Sequence, residues 1–306
     1  MIPMNTEQSM IKLKLDVIFK RVFGNSNNED IIASMISALL EIPRKDIQKI
    51  EIQNVELPPE DIDAKFSRLD LKMNVDGKIV NVEMQVNYEN DFRERTLFYW
   101  SKMYSGELKA GDDYGMLKKT FCVNIINFNL FDCEDYHSHF MVMEKDRGDV
   151  LSDKFGIHFF ELKKLDNVRK NQAMEDWLHL INAETEEDLM EIQQTTMIPE
   201  VKKTIVILRE LNADEKVRQE AYYREKRLHD EASALNGARR EGEKIGYERG
   251  RAEGKAEGRA EGRAEGRAEG KAEGRDEGIN EVKNQLKERW RAQGMSEDEI
   301  QALLGE

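Results

Sequence analysis

The chain is poor in cysteine. Cys122 and Cys133 are its only thiols in 306 residues, which excludes a disulfide framework. It also lacks any apolar run near the ~18 residues of a membrane helix, and no apolar leader stands near its start. The expectation is a cytoplasmic protein with no membrane partner. Positive charge is scarce too. The formal net charge is −14, and acidic residues outnumber basic ones both in residues 1–170 and in the remainder. A protein that grips nucleic acid through charge alone carries a basic excess. Such a binder is therefore disfavoured, unless metal ions or a local Lys/Arg patch offset the acidity. Hydrophobic residues make up 39% of the chain and charged residues 35%, a low apolar share for one globule. The imbalance is local: the last third is extremely polar, so the earlier part can still hold an ordinary core.

What is present centres on residues 68–86. Leu69, Leu71, Met73 and Val75 alternate with polar residues, and so do Val80, Val82, Met84 and Val86. Between the two runs stands Asp76-Gly77, a dipeptide suited to a two-residue type I′ turn because both central positions need positive φ. This predicts a β-hairpin in which Val75 faces Lys78, Asp70 faces Glu83 and Arg68 faces Gln85. Side chains directly across a ladder are close, so two facing carboxylates repel and one pKa rises. A divalent cation removes that conflict, and Asp and Glu oxygens are the ligands Mg²⁺ takes. Spacing alone also allows a plain surface hairpin with a polar face.

Elsewhere the pattern is readable in order. Residues 11–24 predict a short helix ending at Gly24, with Asp16 and Lys20 one turn apart as an ordinary helical ion pair. A second helix spans about 28–40 and stops before Pro43. A strand is expected within 47–55, closed by Pro58-Pro59. After the hairpin, residues 91–108 return to helical spacing. Residues 121–128 read as a buried strand, and 140–143 and 157–162 as two more. The class is α+β with a mixed sheet covered by helices. His137 and His139 sit two apart, more in keeping with surface histidines than with a metal pair. Tyr99 and Tyr104 have the spacing of core aromatics rather than of a base-stacking platform.

Beyond residue 168 only helical patterns occur. Glycine falls at every fourth position from 242 to 278, around the unit Arg/Lys-Ala-Glu-Gly. Each Gly costs a helix about 1 kcal/mol relative to Ala, and like charges recur at i,i+4. The segment reads either as a flexible spacer or marginal helix, or as a helix whose Gly and Ala stripes let partner helices approach. The end of the chain predicts short helices, the last capped by Ser296 with Glu299 three residues on.

Four segments then carry a resemblance. They are Leu15-Asp-Val-Ile-Phe-Lys-Arg-Val-Phe-Gly24; Leu69-Asp70 with Val82-Glu-Met-Gln85; Arg93 with Leu97-Phe-Tyr-Trp-Ser-Lys-Met-Tyr104; and Ile157-His-Phe-Phe-Glu-Leu-Lys-Lys-Leu165. Together they resemble the recombination-promoting nuclease family, labelled transposases, within the PD-(D/E)XK nuclease superfamily. The resemblance covers about residues 11–180. It implies a restriction-endonuclease-like αβββαβ core over residues 1–165, followed by a helical region (166–240), the glycine repeat (241–278) and C-terminal helices (279–306).

The resemblance further implies metal-dependent hydrolysis of DNA phosphodiester bonds, linked to recombination or mobile elements. Asp70 and Glu83 fall on the motif acids and would hold Mg²⁺ or another divalent cation, with the Met84 carbonyl as a further ligand. Asp16 falls on an acidic residue of the first motif, with Lys20 beside it. Gln85 takes the position usually filled by Lys; it can orient a water but supplies no positive charge, so Lys72 or Lys20 would substitute. Arg93 and Arg95, with Lys72, would contact DNA phosphates as bidentate or point cations. The other reading is a catalytically inactive nuclease-like module acting in partner binding, with a homo-oligomer assembled through the helical tail.

Overall fold

A computed structural model of the chain describes residues 10–53, 71–165 and 171–305. It divides into two compact units, Met1–Ala232 and Ser233–Glu306. The first is α+β. Among the described residues its six strands are β1 (Ile50–Gln53), β2 (Leu71–Val75), β3 (Lys78–Gln85), β4 (Thr120–Ile126), β5 (His137–Phe140) and β6 (Phe155–Glu161), in the sheet order β1-β2-β3-β4-β6-β5. β1, β2 and β3 are antiparallel, β3, β4 and β6 run parallel, and β5 is antiparallel to β6.

The hairpin forms for the reason the turn suggests. Asp76 and Gly77 have φ of 47° and 80°, the left-handed pair that matches the twist of the flanking strands. The Asn74 side chain accepts the Gly77 N–H at 2.8 Å, and the Asp76 carboxylate accepts the N–H groups of Gln48 and Lys49, each at 2.9 Å. The turn is thereby tied to the start of β1. Val75 pairs with Lys78 and Leu71 with Val82, the register the two-residue loop dictates.

From β3 the chain crosses through α3 (Phe92–Ser105) to β4, which lies parallel to β3, as a parallel pair requires. Even-numbered residues of β3 (Val80, Val82, Met84) join a large core with α1 (Asp16–Phe23), α2 (Glu29–Leu39), α4 (Gln172–Asn182), α5 (Glu186–Thr195), α6 (Pro199–Ala213) and the first turns of α7. Ile79 lies on the opposite face and joins a smaller core with Phe92 and Met103 of α3 and with Cys122, Ile126, Ile157 and Phe159. The sheet is therefore covered on both faces, and Asn81 and Glu83 on the polar face of β3 are buried, while Lys72 and Asn74 of β2 stay partly exposed.

Two boundaries differ from the sequence expectation. Residues 11–15 are not helical; Leu13 to Leu15 form a turn, closed by the Leu15 N–H donating to the Lys12 carbonyl at 3.2 Å, and Ile11, Leu13, Lys14 and Leu15 are buried before α1 begins at Asp16. The strand expected at 140–143 is instead His137–Phe140, and Met143 makes only an isolated bridge to Val150. Pairing with β6 selects the His-rich segment over the more apolar one.

The glycine repeat is helical. α7 (Glu215–Ala292) runs through it, and from Ser233 to Val282 its side chains are almost all exposed. A Cβ placed on any repeat glycine would meet nothing within 4 Å. Because the segment continues a helix already begun at Glu215, it needs no nucleation step of its own, while each glycine still costs about 1 kcal/mol relative to Ala. In the second unit α8 (Glu297–Leu304) starts at Ser296, whose N–H donates to Glu299 at 2.9 Å, and Ile300 is fully buried. No helix among the described residues is long and apolar enough to cross a membrane.

At the β5–β6 edge three histidines stack. His137 Nε2 lies 3.0 Å from His158 Nδ1, and the His139 ring lies 3.9 Å from the His158 ring. Burial, with His139 and His137 beside it, pulls the His158 imidazole from 6.5 down to about 3. Burial lowers His137 and His139 as well, against the pull of Glu41. The folded value lies below the unfolded one, so as pH falls through about 6.5 the unfolded chain takes up the proton first and stability drops. Between pH 7 and pH 5, urea denaturation is expected to show about 2 kcal/mol of lost stability from this residue. His158→Gln should lack most of that slope, whereas equal slopes in the two proteins would contradict it.

Candidate active site

The odd-numbered side chains of β3 place Asn81, Glu83 and Gln85 in a row beneath α3. Asn81 is 1% and Glu83 7% exposed, and a buried carboxylate must be matched by a cation or by hydrogen bonds. α3 provides the cation. Phe92, Thr96 and Met103 form its buried face, and Arg95 lies at the edge of that face. Helical side chains lean toward their N-terminus, so Arg95 reaches the C-terminal end of β3. Its Nη2 donates to Glu83 Oε1 at 2.9 Å and to Gln85 Oε1 at 3.2 Å, and its Nη1 pairs with Glu89. The Gln85 Nε2 donates to Glu89 Oε1 and to the Asn87 carbonyl, both at 3.0 Å.

This network orients both polar heads. Burial works to lower the Arg95 guanidinium, but the charges of Glu83 and Glu89 outweigh it and hold it above its ordinary value. An arginine in a first helical turn opposes the helix dipole, so its placement is explained by the carboxylates and not by helix stability. Truncating one partner of such a part-buried pair leaves a charge without compensation, at a cost of about 3–5 kcal/mol. Behind the row, Asn124 sits opposite Glu83 in register on β4, donating to the His158 carbonyl at 3.0 Å and accepting weakly from Thr96 Oγ1 at 3.4 Å.

The remaining residues singled out from sequence fall in several places. Asp70 and Arg68 lie outside the described residues. Lys72 pairs with Asn81 and therefore shares the face of Glu83. The Met84 side chain points into the opposite core and is 3% exposed, so only its main chain borders the Glu83 row. Arg93 serves a loop: its guanidinium reaches the Leu130 carbonyl and stands 4.8 Å from the Phe131 ring centre. The same loop is held by Glu161, which accepts the Leu130 N–H at 2.6 Å, and by Lys164, 2.8 Å from Glu161.

Asp16 and Lys20 stand on α1, which packs against β3. Asp16 accepts from Arg224 Nε of α7 at 2.7 Å. One turn later on α7, the Leu228 carbonyl accepts from Asn87 Nδ2 at 2.9 Å. One face of α7 thus fastens α1 and the segment that leaves β3. Glu89 and Arg224 were missed by the sequence reading. Glu89 lies in a turn without periodicity, and Arg224 lies in a helix where most residues are charged.

The donor set fits a hard divalent cation: a carboxylate at Glu83, an amide oxygen at Gln85 and the main chain between them, with the Asn81 Oδ1 buried and without a hydrogen-bond partner among the described residues. Hard cations take oxygen ligands. The nearby thiol is not one: burial, with the Glu83 charge, pushes Cys122 far above the usual thiol range. Among the described residues no three His, Cys, Asp or Glu side chains converge as a metal cluster.

Against known proteins, one family model matches, described as PD-(D/E)XK nuclease family transposase, over residues 13–238. No curated protein and no solved structure matches the chain. The chain belongs to the PD-(D/E)XK nuclease family transposases, and its role is nuclease- or transposase-like.

Cys122 is buried under α3 and Cys133 is exposed. A thiol reagent at pH 8 is expected to label Cys133 alone in the native protein and both cysteines in denaturant. Rapid native labelling of Cys122 would show that the helix-covered face is open.

Proposed function

We propose that the protein is a divalent-cation-dependent DNA endonuclease that hydrolyses phosphodiester bonds in recombination or mobile-element DNA. The observation that carries this reading is the buried Glu83, set on a central strand beside Gln85 and matched by Arg95, in a chain of a nuclease family. The described ladder ends at Leu71–Val82, the pair next to Asp70 and Glu83, and this register supports Asp70 as the second carboxylate.

In this reading Asp70, Glu83 and the Met84 carbonyl hold the cation, Mg²⁺ or a similar ion. When bound, such an ion supplies Lewis acidity and a water acidic enough to yield hydroxide near neutral pH. Glu83 contributes charge to the ion and is held in place by Arg95. Gln85, its carboxamide turned by Arg95 on one side and Asn87 on the other, orients a water but takes no part in charge neutralisation. In this reading Lys72, on the face of Glu83, or Lys20 of α1 would supply further positive charge for the phosphate. Arg93 acts at a distance by fixing the loop at Leu130–Phe131. Asp16 has a positioning role, joining α1 to α7 through Arg224.

A second reading, an inactive nuclease-like module used for partner binding or assembly, draws on two features: the neutral Gln85, and the helical second unit with its exposed Ile279, Val282 and Leu303. Plasmid nicking decides between them. Wild type with Mg²⁺ should nick supercoiled DNA, and Asp70→Ala and Glu83→Ala should each be slower by about a hundredfold or more. Equal activity in the variants, or none in wild type across Mg²⁺ and Mn²⁺, supports the inactive module instead.

A further inference from the structure

Hydrolysis of a phosphodiester gathers negative charge on the phosphoryl oxygens, and Gln85 offers none of the positive charge that would offset it. The described residues place a guanidinium beside it. Arg95 Nη2 is shared between Glu83 and Gln85, and Nη1 engages Glu89. Its Nε is buried without a hydrogen-bond partner among the described residues. The fork is thus incompletely satisfied, and two of its contacts are to groups that the preceding section assigns to cation and water. A divalent ion at Glu83 and a guanidinium hydrogen-bonded to the same carboxylate repel each other at contact distance.

We propose that Arg95 is the phosphate-directed cation of this site, parked on Glu83 and Gln85 until a divalent cation takes Glu83. This inference rests on the nuclease reading and names the group that meets the scissile phosphate. Three features support it. Guanidinium presents parallel N–H donors that match two phosphate oxygens, as it does a carboxylate. Arg95 is anchored on α3 with its guanidinium carbon 5.0 Å from the Phe92 ring centre, and its side chain is 22% exposed. Glu89, its other partner, is 40% exposed and so remains available to hold the guanidinium beside the site after Glu83 is given up.

The test pairs wild type with Arg95→Gln and Arg95→Lys. Mn²⁺ binding is followed by the electron paramagnetic resonance of the free ion, and cleavage by single-turnover nicking at saturating Mn²⁺. Arg95→Gln removes a competitor for Glu83, so it should bind Mn²⁺ roughly tenfold tighter yet cleave about a hundredfold slower. Arg95→Lys keeps the charge and loses the fork. It should bind Mn²⁺ about as wild type does and cleave about tenfold slower.

Tighter ion binding with slower cleavage separates this role from a structural one, because a loosened site would lose both. Unchanged or weaker Mn²⁺ binding in Arg95→Gln, or wild-type cleavage in either variant, overturns the role. If Arg95→Gln does not fold, cleavage by Arg95→Lys decides: wild-type rates overturn the role and slowed rates with unchanged Mn²⁺ binding support it. Wild type that binds Mn²⁺ but nicks no DNA overturns the nuclease reading, and with it the phosphate role, while the Mn²⁺ comparison still reads the contact between Arg95 and the ion. Wild type that binds no Mn²⁺ overturns both.

Discussion

A carboxylate buried beneath a helix is the constraint on which this molecule turns. Glu83 stands on β3, one of the sheet's two central strands, in register with Asn124 of the parallel β4. Burying that charge is tolerable only if a cation or several hydrogen bonds meet it. The fold answers with Arg95, and much else follows from the need to hold Arg95 there. α3 must begin just after β3, cross back over the sheet with Phe92 and Thr96 facing down, and lead into a strand parallel to β3. Glu89 fixes the other side of the guanidinium, and Gln85 is turned by the same contact.

α7 closes the construction from another direction. Its first turns bind Asp16 through Arg224 and the segment after β3 through Leu228, with Arg21 paired to Glu220 and Lys12 to Glu225. Exposed ion pairs each contribute little. Together with the buried Val217 and Ala221 they fix one helical face against α1. The match to the nuclease family extends to residue 238, well past the sheet, and the turns of α7 up to Ala232 belong to the same compact unit as the strands.

Much of this was legible in the sequence, for identifiable reasons. Asp76-Gly77 dictates its turn, and the turn dictates a register, so the alternating faces of the hairpin could be read directly. The helical spacing of residues 91–108 and the apolar run at 121–128 likewise carry their structure locally. What failed was whatever tertiary contact decides. Residues 11–15 look helical but end in a turn, and Ile11, Leu13 and Leu15 are buried against the core before α1 begins. The strand at His137–Phe140 is selected by β6, which no local pattern announces. The glycine repeat left a spacer and a helix both open from its pattern, and the structure shows it within the single helix α7.

The site was legible in type and only partly in arrangement. Motif order pointed to Glu83 and Gln85, but charge at the surface of a helix looks the same whether it contacts DNA, a loop or a buried acid. Arg93 and Arg95, two residues apart, illustrate this: one clamps Leu130 and the other meets Glu83. Central to the proposed function is Glu83 as a ligand for a divalent cation. A crystal soaked in Mn²⁺ tests this most directly through the anomalous signal of the ion. A peak is expected at coordination distance, about 2.0–2.6 Å, from a Glu83 carboxylate oxygen, with the Arg95 guanidinium withdrawn from that carboxylate. A structure at saturating Mn²⁺ with no peak there, and with Arg95 still bonded to Glu83, would contradict it.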